Sequence, residues 1–522
     1  MRATLAFLLA ALAFIAPARA ETLLRVGAGG AFTSLDPHYH NLNPNNTVSE
    51  YLFSSLVALD GAYRPTPGLA ESWTLVGETT WEFRLRPGVL FHDGTPFTAD
   101  DVAFTFERIP TVLNSPASFN FAVKPINRLE IIDPLTVRMH TAEPQPLLPV
   151  LLGSVRIVSR KHGEGAQTGD YNTGKAAIGT GPYKLESAAL GDRLVFRRNE
   201  AWFGPRPAWD RVDYRVIANG ASRTVALQAG DVDIIEQVGT RDVAGLRARP
   251  GIRIEAAPGQ RLIYLFADAS REVSPFVTDL SGQKLAANPL RDPRVRRALS
   301  LAINRDGIRT QIMDGFAAPT GQLMPEGAVG YDPTLKPDPF DLAQARKLLS
   351  EAGYPNGFAL TLNGPNDRYV NDRSIVEAIA QMWTRAGVRT TVATAPASVF
   401  FSGAARDEYS MALTGWASDT GEASSSLVQI FASSNPAKGR GAVFRPSKYI
   451  NPRVDELVER SLATLDPEAR EALYQEATRV AMSETAYIPI HHQVNIWAVR
   501  PGYALRTRMQ EGIRAIDVDP TP

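Results

Sequence analysis

Phe91-His92-Asp93-Gly94-Thr95-Pro96-Phe97-Thr98-Ala99-Asp100-Asp101-Val102 is the stretch whose reading decides the fold. Asp93-Gly94 is turn chemistry. Thr98, followed three residues later by Asp101, matches a capping box and predicts a helix beginning at Ala99. Val102 and Phe106 then share one apolar face, a turn apart. Just upstream, Trp81-Glu82-Phe83-Arg84-Leu85 alternates apolar and polar residues, as a half-buried strand requires. His92-Asp93 has the look of a hydrolase metal pair, but turn and cap account for the motif. The stretch reads as structural, a strand handing over to a capped helix.

The same alternation continues outward. Asp292-Pro293 opens a helix in which Val295, Ala298, Leu299, Ala302 and Ile303 follow the helical period. Asp341 caps another, with Gln344 in the reciprocal position and Gly353 as a left-handed stop. Ser374 to Ala386 reads as a helix ended by Gly387, and Val388 to Val392 as the strand that follows. Tyr409 to Gly415 reads as a further strand. Asn451-Pro452 and Asp466-Pro467 start two late helices. Helices and strands mixed this closely imply α/β layers. Glycine-rich Gly163 to Gly181 and loop-rich Asp268 to Pro293 mark breaks, so two or three lobes are expected from 522 residues, with no internal repeat.

The first residues address the chain. Arg2 gives a basic start, Leu5 to Ile15 an apolar run, and Ala18-Arg19-Ala20 a small-x-small cleavage pattern, so residues 1–20 are expected to be a signal peptide. The run is shorter than the roughly 20 residues that span a bilayer. The sequence has no cysteine. A large core, not disulfides, must therefore stabilise the exported chain, and no thiol is present to carry a lipid anchor. These features point to the periplasm. Formal charge balances at 55 basic against 55 acidic residues, or 53 against 55 once Arg2 and Arg19 are removed. With no extended Lys/Arg run, nucleic acid is not an expected partner. Nor is catalysis expected: there is no G-x-S-x-G, no H-E-x-x-H and no G-x-x-x-x-G-K-[ST] phosphate loop.

Leu56-Val57-Ala58-Leu59-Asp60, Pro67-Gly68-Leu69-Ala70-Glu71-Ser72-Trp73 and the Phe91-to-Val102 stretch occur in order. Gly179-Thr180-Gly181-Pro182-Tyr183, Asp292 to Ala298, Ala343 to Tyr354 and Tyr487-Ile488-Pro489-Ile490 follow. With these motifs the chain resembles the extracellular solute-binding proteins of family 5, the dipeptide, oligopeptide and nickel receptors of ABC importers. The resemblance implies a periplasmic-binding-protein-like, two-lobed α/β fold (type II, cluster C) with an extra subdomain. Residues 21–59, 176–265 and 490–522 would form lobe I, 60–175 the subdomain, and 266–489 lobe II. It further implies a monomer with no cofactor, carrying a di- or oligopeptide to a membrane permease with a separate ATPase. A nickel or metal chelate, an opine, glutathione or a sugar is the alternative cargo; a secreted hydrolase is the alternative of another class.

The resemblance also implies site residues. In the family's peptide receptors an aspartate beyond a strand-end tryptophan pairs with the ligand's α-ammonium, and Asp419, after Trp416, matches it. A turn or capping role for Asp419 stays open. Arg373 falls close to the carboxylate-binding arginine, with Arg368 as a neighbouring substitute; an exposed helix-start role for Arg373 stays equally open. Trp416 is the expected aromatic wall, with Tyr39 and Tyr183 as further aromatic candidates. His38 and His40 near the start and His491 and His492 in the tail would enter one lobe. Neutral imidazoles there could bind a transition metal or a metal chelate, but their spacing is not that of a closed metal site, and polar contacts to cargo or plain loop roles are the favoured readings.

Overall fold

Two long strands organise the molecule in the computed structural model, which describes residues 21–418, 420–433, 435 and 449–521. The expected signal peptide, residues 1–20, and Asp419 lie outside the described residues. Twelve strands form one large sheet, numbered here along the chain. They are β1 (Leu23–Ala28), β2 (Tyr183–Ala189), β3 (Arg193–Arg198), β4 (Arg211–Val216), β5 (Ile234–Ile235) and β6 (Arg253–Ala267). Then come β7 (Val277–Thr278), β8 (Ala317–Pro319), β9 (Phe358–Pro365), β10 (Val388–Ala395), β11 (Met411–Trp416) and β12 (Tyr487–Val499). The spatial order is β7-β9-β11-β6-β12-β5-β1-β4-β3-β2, with β8 beside β12 and β10 beside β9.

β6 and β12 pair antiparallel along their length, from Arg253 opposite Val499 to Phe266 opposite Tyr487. One end of this ribbon carries β11 and β9; the other carries β5 and β1. Each lobe is thus built on one end of the same two strands. Between the ends the register slips, at Pro258/Leu262 and again at Ile263/Tyr264. Pro258 and Gly259 supply the reason, because proline and glycine mark bulges in a strand. Gly259 sits so close that a Cβ there would lie 2.9 Å from the Gln493 carbonyl oxygen.

The sheet is apolar on both faces. In β6, Leu262, Tyr264 and Phe266 enter one core cluster while Ile263, Leu265 and Ala267 enter another, the two-residue alternation of a strand buried on both sides. β12 behaves the same way beyond the bulge, with Trp497 and Val499 on one face and Ile496 and Ala498 on the other. A separate four-stranded antiparallel sheet (Ala70–Gly77, Thr80–Leu85, Thr136–Thr141, Ile126–Asp133 in spatial order) has its own core around Phe83, Val102 and Met139.

Most of the local expectations are met; the exception is Gln344, whose reciprocal bond is not made because the Asp341 N–H donates to the Leu301 carbonyl at 2.9 Å. The helix Ala99–Arg108 begins after Thr98, whose N–H donates to Asp101 Oδ2 at 3.0 Å in a capping box. Asp292, Asp341, Asn451 and Asp466 each accept a hydrogen bond from an amide of the helix they precede. Gly353 and Gly387 take φ of +92° and +108°, the left-handed stops. The helix expected from Ser374 starts earlier, at Asp372, because the Asp372 carboxylate accepts from the amides of Arg368 and Tyr369, both at 3.0 Å. Trp383 on that helix is fully buried and donates its indole N–H to the Leu299 carbonyl at 2.8 Å.

Candidate functional site

β9, β10 and β11 run parallel, joined by the helices Asp372–Ala386 and Ala397–Ala405. Ligands in α/β sheets collect at the carboxyl ends of parallel strands. Here those ends deliver Arg368 and Tyr369 after β9, Phe401 after β10, and Trp416 to Ser418 from β11 into a cleft of 1050 Å³. Facing them are Asn43 and Glu50 from the helix Asn43–Leu52, the loop holding Tyr63, and the tail from Arg508 to Glu511. Gln260 and Arg261, in the bulge between the lobes, line the cleft where the two walls meet. A bulge re-aims side chains, and that is its use here.

Arg261 donates from Nε to Glu511 Oε1 at 2.9 Å, and Asn43 Nδ2 donates to Glu511 Oε2 at 3.1 Å. Burial works to raise the Glu511 carboxyl, yet Arg261 and Arg368 hold it below its ordinary value. Arg368 stacks its guanidinium 5.2 Å from the Tyr369 ring centre and has no ion pair among the described residues. Its surroundings and the charge of Arg261 lower its proton affinity. At the other wall Glu50 meets Arg156 at 2.7 Å and Arg508 and Arg514 at 3.5 and 3.4 Å. Burial opposes ionisation there too, but the three arginines bring the Glu50 carboxyl down to about 2. The indole N–H groups of Trp416 and Trp202, both cleft residues, are buried without an acceptor among the described residues. Buried donors without partners are uncommon in folded proteins.

Gly421 carries a contact across the cleft. It has φ +72°, and a Cβ there would lie 2.0 Å from Tyr63 Cβ. Gln260 Nε2 donates to the Gly421 carbonyl at 3.1 Å. Tyr63 belongs with the opposite wall, since Met509 N–H donates to the Gly61 carbonyl at 2.9 Å and Trp497 Nε1 to that of Glu511 at 3.2 Å.

Of the residues singled out in the sequence, Trp416 and Arg368 line the cleft. Arg373 does not: it stands in the first turn of its helix, two-thirds exposed, pairing with Glu377 one turn on at 2.9 Å. Tyr39 is half-buried outside the cleft lining, its carbonyl accepting from Ser115 Oγ at 2.6 Å. Tyr183 is buried in the core against Tyr51.

The four histidines do not come together. His38 is enclosed, accepting from Arg108 at Nδ1 (2.8 Å) and donating from Nε2 to the Arg156 carbonyl (2.7 Å). Burial and the Arg108 charge push it down to about 4. His40 bonds Thr33 Oγ1 at 3.2 Å. His491 and His492 lie in β12 opposite Ile263 and Leu262, and burial pushes them down to about 4 and about 3. None of the four lines the cleft, and among the described residues no group of three or more His, Asp or Glu side chains could hold a metal. His92 is likewise structural, its ring receiving the Gly179 N–H at 3.3 Å and reaching the Gly181 carbonyl at 3.2 Å. Arg261, Glu50 and Glu511 went unread in the sequence; Pro258-Gly259 inside an apolar strand is the signal that could have flagged the first.

Among the described residues no helix is long and apolar enough to cross a membrane. The chain is 28% identical over 476 residues to the glutathione-binding protein GsiB of Escherichia coli K12, covering 89% of this chain and 88% of that protein. It superposes on the Helicobacter pylori periplasmic binding protein DppA, solved with the peptide STSA (TM-score 0.78, 22% identity, 95% of this chain and 98% of that one). Campylobacter jejuni NikZ, solved with Ni(L-His), matches similarly (TM-score 0.78, 20% identity, 95% and 99%). Residues 64–438 match the family model described as bacterial extracellular solute-binding proteins, family 5 middle. With its parallel strands ending at a cleft between two lobes, the chain belongs to the family 5 extracellular solute-binding proteins.

Proposed function

We propose that the protein is a periplasmic receptor of an ABC importer, binding small peptides in the cleft and handing them to a permease with its own ATPase. The observation that carries the reading is the cleft itself. Its walls come from both ends of the β6–β12 ribbon, and they present aromatic side chains and guanidinium groups. The lobes, at the boundaries 21–59, 176–265 and 490–522 for the first and 266–489 for the second, close by bending at the bulge, while 60–175 extends the first. In this proposal a bound peptide lies along the cleft as an added strand, its main chain satisfying β-edge groups. Asp419, beyond Trp416, takes the ligand's α-ammonium, and Arg368 takes a carboxylate in the place first assigned to Arg373. Glutathione, the cargo in the name of the GsiB relative, is a tripeptide within this class. No catalytic step is assigned, and the working unit is a monomer freed of residues 1–20.

Native mass spectrometry of freshly purified protein, then calorimetry with short peptides, tests the reading. Retained peptide cargo and binding that is lost on N-acetylation or in Asp419→Ala are expected. Unchanged binding of N-acetylated peptide would remove the ammonium–carboxylate contact, and saturable binding of sugars but no peptides would overturn the ligand class.

A further inference from the structure

The charge on the cleft walls is lopsided. Among the described lining residues, Arg86, Arg156, Arg261, Arg368, Arg508 and Arg514 face only Glu50, Asp60 and Glu511, and no lysine or histidine contributes. Arg86 and Asp60 are settled outside the cleft, by Glu71 at 3.3 Å and Arg64 at 3.0 Å. The remainder falls into two clusters. Arg156, Arg508 and Arg514 share Glu50 and Asp517, which leaves one positive charge over. Arg261 pairs with Glu511, while Arg368, on which Glu511 and Asp372 act only through space, makes no ion pair among the described residues. Buried charge is costly unless it is paired. Among the described residues these guanidinium groups outnumber the carboxylates beside them, and with Asp419 given to the ligand's α-ammonium they are open to anions from outside the chain.

We propose that the cleft selects small solutes carrying two anionic groups, peptides or amino-acid conjugates with two carboxylates, one held at Arg261/Arg368 and the other at Arg156/Arg508/Arg514. The proposal rests on the receptor reading above and narrows its ligand class. Arg508 and Glu511, one from each cluster, are three residues apart on the tail, so their Cα atoms lie within about 10 Å. An extended dipeptide covers about 7 Å of that, and its side chains cover the rest. Arginine suits both ends because its planar fork grips a carboxylate through two N–H groups. Burial first, then the charge of Arg261, lowers the proton affinity of Arg368.

The test is calorimetry on the chain from residue 21 onward, with Ala-Glu against Ala-Gln and glutathione against its glycine amide. Each pair differs by one carboxylate. Binding of the acidic member is expected to be about 10- to 100-fold tighter, the span of one charge-assisted hydrogen-bond pair. That preference should shrink as salt rises. In Arg368→Gln or Arg508→Gln, one of the two preferences should collapse while circular dichroism stays unchanged. The wild-type comparison stands even if a variant misfolds. Equal affinity for acid and amide in both pairs overturns the dianion proposal and leaves the receptor reading intact. Failure of all four peptides to bind removes the peptide reading, and this proposal with it.

Discussion

Replacing Gly421 with alanine isolates the contact across the cleft. The new Cβ would lie 2.0 Å from Tyr63 Cβ, 2.5 Å from Cγ and 3.1 Å from Cδ1. Ordinary carbon contacts begin near 3.5 Å, so the walls must separate by roughly 1.5 Å at this point. Two costs arise. The left-handed φ of +72° costs an alanine about 1–2 kcal/mol whether the cleft is open or shut. The overlap with Tyr63 costs about 1–3 kcal/mol, and only when the walls meet. The first lowers stability; the second weakens ligand binding about 5- to 150-fold. Because the nearest atom is Tyr63 Cβ, Tyr63→Ala cannot relieve the overlap, whereas Tyr63→Gly does, and glycine also accepts the left-handed backbone of that position (φ +62°). Calorimetry with the tightest-binding peptide should find Gly421→Ala weak and Tyr63→Gly/Gly421→Ala no weaker than Tyr63→Gly alone. If Gly421→Ala binds as the wild type does while melting earlier, closure does not use this contact and the reasoning fails.

Two further substitutions separate stability from binding. Burial raises the Glu236 carboxyl to about 7, above an unfolded value near 4.5, so the folded chain keeps a proton that the unfolded chain gives up. Stability from this group is therefore complete below about pH 4.5 and lost as pH rises through 7. Glu236→Gln should raise the melting temperature at pH 8 and leave it unchanged at pH 4; an equal shift at both would refute the assignment. Asp36 receives Arg108 through two bonds of 2.9 and 2.7 Å, both groups almost fully buried. Asp36→Asn should lower unfolding free energy by about 3–5 kcal/mol by leaving a buried guanidinium unpaired, with ligand affinity unaltered once the protein is folded. A loss below 1 kcal/mol in urea titration would show that the pair is not what holds this region.

The parts of the fold legible in the sequence are those decided within a few residues. The Thr98/Asp101 capping box, the Asp341 cap and the Gly353 and Gly387 stops each depend on near neighbours, and each stands as read. Trp416 was placed in the cleft because a strand end is a local event with a global address. Arginines were harder. Arg373 and Arg368 lie five residues apart, but a start at Asp372 puts one on the exposed first turn and leaves the other in the loop off β9. The pair Arg261–Glu511 joins positions 250 residues apart through a bulge, and no local pattern announces such a partnership. The histidines show the converse. His491 and His492 read as polar residues near a chain end, whereas antiparallel pairing on both sides of β12 seals them in the core.

A crystal structure of the protein with Ala-Glu bound tests the central claim, that the walls set by β9, β11, the bulge and the Arg508–Glu511 tail enclose the cargo. The account predicts the peptide inside the cleft, against Trp416, with a carboxylate oxygen within about 3 Å of the Arg368 guanidinium. A peptide bound at full occupancy elsewhere on the surface, with the cleft holding only solvent, would contradict it.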